Sequence, residues 1–478
     1  MGPRAAARGR RAIRVTTSPD GSKDPARRAA ADVLLAVDTE GAYGNLLLPR
    51  VLRECGLTGT DAAFATELCY GALRRSGVLD AVIGDGARRP AETLDPPVRA
   101  ALRLGAYQLL HTRVPPHAAV SATVDVSREI AGHKTAGLVN AVLRRVGDRD
   151  WAGWVERLAP ADDPLGRLAF DCGYPEWIAG ALLEALDGDL AELAALLREE
   201  RPVTHLVARP GLIARDELLA ECGPGASAGR FSPYAVELAG GDPADLASVR
   251  DGRAAVQDEG SQLVALALAA AELAGRDQNW LDTCAGPGGK AALLAGLRPA
   301  GARLVAGEPQ PHRARLVAGA VERYADVHVV IADGTVPPWR GGGYDRVLVD
   351  APCTGLGALR RRPEARWRRQ PGDVEELHLL QCALLAGAID SLRPGGVVAY
   401  ATCSPHRRET VDVVESVVGG RRDCEVMDGS RALPGLPQPG RTPYIQMWPQ
   451  RHGTDAMFVA LVRRTDHPKR LMTDSEKS

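Results

Sequence analysis

The stretch Leu281-Asp-Thr-Cys-Ala-Gly-Pro-Gly-Gly-Lys290 limits what this chain can fold into more than any other. Residues 280–283 read as a short buried strand, a glycine-rich turn follows, and an apolar helix runs from Ala291 to about Leu297. In a strand–turn–helix of this kind the glycines let the backbone close on a ligand, and the helix start offers unpaired N–H donors. Downstream, Asp350-Ala-Pro-Cys353 and Ala401-Thr-Cys403 each close an apolar strand, so both are expected to face the same crevice. A cofactor turn joined to two strand-end cysteines points to covalent catalysis on a substrate laid against a cofactor.

The surroundings of that stretch alternate between two periodicities. A helix is expected to about residue 274, then strands over 281–283, 303–307, 327–331, 344–350 and 396–402, with helical patterns between them. Apolar strands separated by helices predict a doubly wound parallel sheet, an α/β Rossmann-like fold over 254–466. A late strand over 457–462 is expected antiparallel at the sheet edge. Residues 151–253 read as a linker and small α+β subdomain, with helices over 175–185, 190–199 and 216–222 and a strand over 204–208. Glycine and proline clusters at 223–229 and 240–243 mark its loops. Residues 25–150 read as an all-α unit, with helices over 26–37, 61–79, 100–110, 117–130 and 135–146. Residues 1–24, rich in Arg, Ala, Gly and Ser, are expected to be a disordered basic tail, and 467–478 a second tail.

Composition removes several classes of function. The 59 Lys and Arg among 478 residues are balanced by 60 Asp and Glu, a net charge of −1, so any RNA affinity must come from local patches. Nine scattered cysteines, an odd number with no C-x-x-C, argue against a disulfide framework or a zinc site and for a reducing cytoplasm. No metal is expected. No apolar run is long enough to span a membrane, and the first residues do not resemble a secretory apolar region.

The turn by itself leaves the cofactor open. Gly286-Pro-Gly-Gly-Lys-Ala291 also fits G-x-G-x-x-A, and Glu308 follows Gly288 by roughly 20 residues, as in the dinucleotide fingerprint. A phosphate-binding P-loop fails, because position 284 is Cys and Ala291 stands where Ser or Thr would bind magnesium. Three acids ending successive strands, Glu308, Asp333 and Asp350, suit a cationic sulfonium better than a pyrophosphate, which carboxylates repel. The cofactor favoured is therefore S-adenosylmethionine, with a nicotinamide oxidoreductase as a distant alternative.

Two resemblances sharpen this reading. Leu102-Arg-Leu-Gly-Ala-Tyr-Gln-Leu-Leu110, Val114-Pro and Gly137-Leu-Val-Asn-Ala-Val-Leu-Arg-Arg-Val146 resemble the NusB-like RNA-binding domain. That implies RNA as partner, with Arg144, Arg145 and Arg149 available to phosphates. Asp350-Ala-Pro-Cys353 and Ala401-Thr-Cys-Ser404, behind the glycine turn, resemble the signature of the Sun (nucleolar-protein type) RNA cytosine-5 methyltransferases. With the NusB-like region in front, the chain most resembles the bacterial 16S rRNA methyltransferase B (Sun/Fmu) group.

The resemblance implies that Cys403 is the nucleophile, that Cys353 helps release product, and that Asp350 is the acid beside cytosine and methionine. It implies that Cys284, Ala285, Gly286, Pro287, Gly288, Gly289 and Lys290 form the cofactor loop. Glu308 would hold the ribose, Arg313 lies on the same side, and Asp333 faces the adenine. The chain departs from the family at Gly286, where Ala is common, at Glu308, where Asp is usual, at Glu409-Thr410, where Glu-Asn is frequent, and at Ala456-Met457, where Gly-Phe is expected. In the basic stretch Leu359-Arg-Arg-Arg-Pro-Glu-Ala-Arg-Trp-Arg-Arg369, residues Arg361, Arg362, Trp367 and Arg368 are expected to meet RNA by phosphate contact and base stacking. The substrate expected is 16S rRNA. The alternatives are a tRNA cytosine-5 methyltransferase and a non-enzymatic NusB-like RNA-binding or antitermination factor.

Overall fold

The computed structural model describes residues 22–466, apart from 200, 340, 438, 439 and 441. The two tails expected at 1–24 and 467–478 fall almost wholly outside the described residues. The chain divides into two compact units, one reaching to Gly180 and also holding Leu359–Arg368, the other made of Ala181–Ala358 and everything from Arg369 on.

The first unit is helical. Its main helices are Pro25–Glu40, Gly44–Glu54, Gly59–Arg74, Ser76–Ala87, Pro96–His111, Pro116–Ala131 and Ala136–Val146. Three of them start with proline, which tolerates the first turn because its missing N–H would be unpaired there anyway. Asp24 caps the first helix by accepting from Arg27 N at 3.1 Å. Leu34, Leu48, Leu68, Leu79, Ile83, Leu102, Leu104 and Leu143 meet in one sealed core. Each such side chain contributes about 1.5–3 kcal/mol on burial.

The single helix expected over 61–79 is two helices. Arg75 leaves the helical region at φ −105°, ψ 10°, and a second helix runs on to Ala87. Periodicity could not show the break, because both halves keep the same 3.6-residue repeat.

The basic stretch Leu359–Arg368 belongs to this helical unit. Its side chains serve the ends of helices, where the last carbonyls have no partner within the helix. The Trp367 indole N–H donates to Arg74 O at 3.0 Å, and the ring lies where a Cβ on Gly77 would stand. Arg368 donates to Val37 O at 2.9 Å and to Ala42 O at 2.6 Å, around the left-handed Gly41 that ends the first helix. Arg366 is fully buried, donates to Gly173 O at 3.0 Å and lies 3.7 Å over the Tyr174 ring. Glu364 accepts from Gly44 N at 3.3 Å. The N–H donors of Trp367 and Arg368 are thus engaged by carbonyls of the same unit. Arg361 is half-buried and Arg362 is exposed.

The second unit contains two sheets. The smaller is antiparallel, with β1 Thr204–Ala208, β2 Ser227–Ala228, β3 Ala235–Leu238 and β4 Ala254–Val256 in the order β2-β3-β1-β4. The larger has β5 Asn279–Asp282, β6 Arg303–Gly307, β7 Val327–Val330, β8 Tyr344–Asp350, β9 Leu392–Thr402, β10 Cys424–Val426, β11 Ile445–Gln446 and β12 Phe458–Arg464. Its order is β10-β12-β9-β8-β5-β6-β7, with β11 beside β12. The five strands from β7 to β9 are parallel. Val347, Leu348 and Val349 in β8 and Val397 to Ala401 in β9 are sealed from solvent, as expected of a sheet covered by helices on both faces. Strand β12 pairs antiparallel with β9, as expected, but it is not the edge: β10 lies outside it, with Cys424 opposite Arg464. Three-residue β10 and two-residue β11 carry too little pattern to be read from sequence.

The connection after β5 runs to β6 on one side, and the connection after β8 runs to β9 on the other. A crevice opens at the carboxyl ends of strands at such a switch point, and there the sheet gathers the turn after β5, Glu308 after β6, Asp350 at the end of β8 and Cys403 after β9.

Replacing Arg366 with Ala removes a buried charge-assisted hydrogen bond and its ring contact. The helical unit should lose about 2–3 kcal/mol, read as an earlier midpoint in urea denaturation of the full chain followed by circular dichroism.

Candidate active site

The turn after β5 is built so that side chains fill the space around it. Ala285 N donates to Gly307 O at 2.9 Å and ties the turn to the end of β6. Gly288 has φ +112°, a conformation that favours glycine, and a Cβ there would run into Ala320 and Val317. A Cβ on Gly286 would overlap the Glu308 carboxylate and stand 2.9 Å from Arg313 Nε. Glu308 is 2% exposed and accepts from Gln310 N at 3.0 Å. Arg313 donates to Gly286 O at 2.6 Å and lies 3.6 Å from the Glu308 carboxylate, so it braces the turn from outside. The two departures at 286 and 308 thus form one feature: the shorter residue makes room for the longer acid.

Lys290, in the first turn of the helix after the glycines, pairs with Asp350 at the end of β8 at 2.8 Å. Asp333 is exposed and lies beside exposed Ile331 and Val336; Thr335 holds its carboxylate through N–H and hydroxyl at 2.9 and 2.7 Å, which keeps it below the usual carboxylate range.

The two cysteines come together. Cys353 Sγ and Cys403 Sγ are 3.3 Å apart, and both residues are half-buried. The S–H of Cys353 directed at Cys403 holds the Cys403 thiol below the ordinary range, assisted by the nearby Lys290 cation. The same hydrogen bond, together with burial, raises Cys353. Cys403 therefore ionises first and Cys353 keeps its proton. Burial pushes the Cys284 thiol up, away from the thiolate form.

Glu409 accounts for the approach of the two sulfurs. It is fully buried and accepts from Thr354 N at 2.7 Å, from Ser404 Oγ at 2.6 Å, from Gln381 Nε2 at 3.2 Å and from the Thr354 hydroxyl. Thr354 follows Cys353 and Ser404 follows Cys403, so one carboxylate clamps both loops. Cys403 O accepts from Gly357 N at 2.9 Å, and Ala456 N donates to Gly357 O at 3.0 Å, which closes the clamp on the side of Ala456-Met457.

Comparison with known proteins adds the family. Residues 269–463 match the family described as 16S rRNA methyltransferase RsmB/F, and residues 24–148 match the NusB family. A Bacillus subtilis relative with the provisional name ribosomal RNA small subunit methyltransferase B is 30% identical over 453 residues, covering 92% of this chain and 99% of its own. A relative of that name in Pseudomonas syringae pv. tomato is 34% identical over 448 residues, covering 91% and 96%.

The chain belongs to the 16S rRNA methyltransferase RsmB/F family.

A Mycobacterium tuberculosis protein with a provisional methyltransferase name is 53% identical over 451 residues, covering 92% of this chain and 97% of its own. The crystal structure of PH0851 shares the fold at TM-score 0.75 and 20% identity, covering 92% of this chain and 99% of that one. The structure of NSun6 from Pyrococcus horikoshii with SFG, an S-adenosylmethionine analogue, gives TM-score 0.52 at 17% identity, covering 61% and 99%. The chain is thus an RNA methyltransferase of the S-adenosylmethionine-dependent class with a NusB domain in front.

Reading the motifs residue by residue missed Asp282, the last residue of β5. Its carboxylate is sealed, Oδ1 accepts from Cys284 N at 3.2 Å, and Oδ2 has no partner. Its place, two residues before the turn inside an apolar strand, was the available signal. Burial first, then the neighbouring Asp350, pushes the acid up to about 7. An unfolded Asp loses its proton near 3.9, whereas the folded one keeps it, so the native state binds the extra proton between those values. Stability therefore falls as pH rises through that window and levels off above it. Asp282→Asn removes this slope. Urea denaturation at about pH 5 and about pH 8 should show parent stability, relative to the variant, decreasing toward the higher pH.

Proposed function

We propose that this protein methylates carbon-5 of a cytosine in 16S rRNA, using S-adenosylmethionine and a transient bond between Cys403 and the base. The observation that carries the reading is the sulfur pair at 3.3 Å, with Cys403 the more acidic member and the Lys290–Asp350 ion pair in the same crevice. The names of the curated relatives support ribosomal rather than transfer RNA as the substrate. Such a substrate assigns the work to the cytoplasm. Two cysteines and the surrounding acids brought to one crevice count against a non-enzymatic RNA-binding factor.

The residues fit S-adenosylmethionine on one ground: a buried acid, Asp282, has an oxygen without a partner beside two further carboxylates, Asp350 and Glu308. A cationic ligand offsets such a concentration of acids. Glu308 would hold the ribose hydroxyls, and Asp333 with the exposed Ile331 and Val336 would receive the adenine. Residues 284–290 and Arg313 would shape the turn around it. When bound, the cofactor supplies a methyl group on a positively charged sulfur.

Cytosine carbon-5 is too weak a nucleophile unaided. The Cys403 thiolate adds to carbon-6 and makes carbon-5 nucleophilic, while the Asp350 carboxyl group, near ring nitrogen-3, assists the addition. After methyl transfer the remaining carbon-5 proton passes to solvent water, its bonding pair re-forms the carbon-5–carbon-6 double bond, Cys403 leaves carbon-6 as a thiolate, and Cys353 assists this elimination. The helical unit offers RNA a groove of about 680 Å³, lined by His117, Arg128, Asn140 and Arg144 among others. Arg144 lies exposed in this groove on the helix Ala136–Val146, and Arg149 is exposed just beyond that helix, whereas Arg145 also donates to Gly86 O at 2.8 Å.

The cofactor assignment predicts a paired effect at 286 and 308. Gly286→Ala should displace the Glu308 carboxylate and weaken S-adenosylmethionine binding by about tenfold, roughly 1.4 kcal/mol, in calorimetry. Adding Glu308→Asp should restore much of the loss by shortening the acid. Equal affinity in parent and Gly286→Ala would remove Glu308 from the cofactor site.

The cysteine assignment is tested by trapping. Cys403→Ala should abolish methylation and form no covalent RNA adduct. Cys353→Ala should still add and transfer, then stall as a protein–RNA adduct that survives denaturing electrophoresis. Adduct in the first variant and none in the second would reverse the two roles.

A further inference from the structure

Away from the crevice, in the smaller sheet of the second unit, three ligand-type side chains converge. His205 on β1 stands directly opposite Glu237 on β3, and Glu259 opens the helix Glu259–Ala270 that follows β4. His205 Nε2 lies 3.8 Å from Glu237 Oε1 and 3.9 Å from Glu259 Oε2, and one donor atom from each of the three residues lies within 4.8 Å of the others. His205 is 2% exposed and Glu259 is sealed, while Glu237 keeps about a quarter of its side chain in contact with solvent.

Two features of this cluster separate it from an ordinary ion pair. Glu259 Oε1 is satisfied by Phe231 N at 2.7 Å and Ser232 N at 2.8 Å, but Oε2, the oxygen aimed at the imidazole, has no hydrogen-bond partner although it is buried. A buried carboxylate oxygen without a donor is costly unless a cation meets it. On its other edge the imidazole presents Nδ1 to Asp258 Oδ2 at 3.5 Å. No hydrogen bond forms at that distance, so Nδ1 is a second buried polar atom of the cluster without a partner, while Nε2 faces the two glutamates. Three carboxylates around one imidazole carry a net negative charge whichever way the ring is protonated.

We propose that His205, Glu237 and Glu259 form a binding site for a divalent transition-metal ion. One imidazole nitrogen and two carboxylate oxygens suit Zn²⁺ or its close relatives, with water completing the shell. An ion at the centre needs each ligand to close by a few tenths of an ångström to reach bond lengths of about 2.0–2.2 Å. Glu237, about a quarter of whose side chain meets solvent, gives the ion its way in. The site fastens β1, β3 and the helix after β4 to one another, and contains neither of the crevice cysteines. Scattered cysteines gave no reason to expect a metal, because this donor set uses none of them.

Cobalt(II) is the probe, because its spectrum reports the ligands. The full-length chain, stripped with a chelator and titrated with Co²⁺, should take up one equivalent with a weak visible band and no thiolate charge-transfer band in the near ultraviolet. Cys353→Ser/Cys403→Ser should keep that equivalent. Glu237→Gln, at a partly exposed position that tolerates the change, should lower the affinity at least tenfold, as should the isosteric Glu259→Gln, with circular dichroism confirming that both fold. Zn²⁺ should displace the cobalt. Uptake that carries a thiolate band and vanishes in the cysteine double variant, uptake unchanged in Glu237→Gln and Glu259→Gln, or no uptake by the parent would each overturn the proposal and leave an ion cluster in its place.

Discussion

Glu409 carries its carboxylate where water does not reach, and three of the hydrogen bonds that it accepts come from the loops that follow β8 and β9: two from Thr354 and one from Ser404. A buried acid of this kind is costly unless its oxygens are occupied, so the loops are drawn onto it. Cys353 precedes one partner and Cys403 precedes the other. The 3.3 Å between the sulfurs follows from that shared acceptor together with the parallel pairing that sets Asp350 opposite Ala401. Tyr400 extends the arrangement by donating to Glu409 O at 2.7 Å from within β9.

Electrostatics then divides the work between two similar side chains. Both cysteines occupy the same crevice, yet the S–H of Cys353 directed at Cys403 lowers the Cys403 thiol and raises its own. Lys290, delivered by the helix after the glycine turn, lies near Cys403 and pairs with Asp350. The same crevice concentrates Asp282, Asp350 and Glu308 around a turn built from glycine. An acid-rich pocket with one lysine suits a cationic ligand beside a lowered thiol.

The helical unit uses its arginines differently from what charge alone suggests. Leu359–Arg368 looks like a solvated basic run, but Arg366, Trp367 and Arg368 donate to carbonyls at or just past the ends of three helices. Guanidinium and indole N–H groups there supply the partners that a helix end lacks. A charge count cannot separate an arginine that caps a helix from one that waits for phosphate, since the acceptors lie some 190 to 330 residues away along the chain.

Much of this protein was legible without coordinates where the relevant information is local. The glycine turn, strand-end acids and cysteine motifs announce themselves because each needs a particular residue at a fixed offset, and the alternation of buried strands with helices dictates a parallel sheet. The break at Arg75, the short strands β10 and β11 and the true place of β12 were not legible, because they depend on which elements become neighbours. Glu409 could be quoted as part of a motif, but its role as a shared acceptor exists only once β8 and β9 lie side by side. Likewise Gly286 and Glu308 read as two separate departures until the turn and the end of β6 meet, and His205, Glu237 and Glu259 are unremarkable residues until β1, β3 and a helix start converge. Local pattern determined the elements and the chemistry each could offer; long-range packing alone decided which groups touch, and therefore which carry charge, proton or ligand.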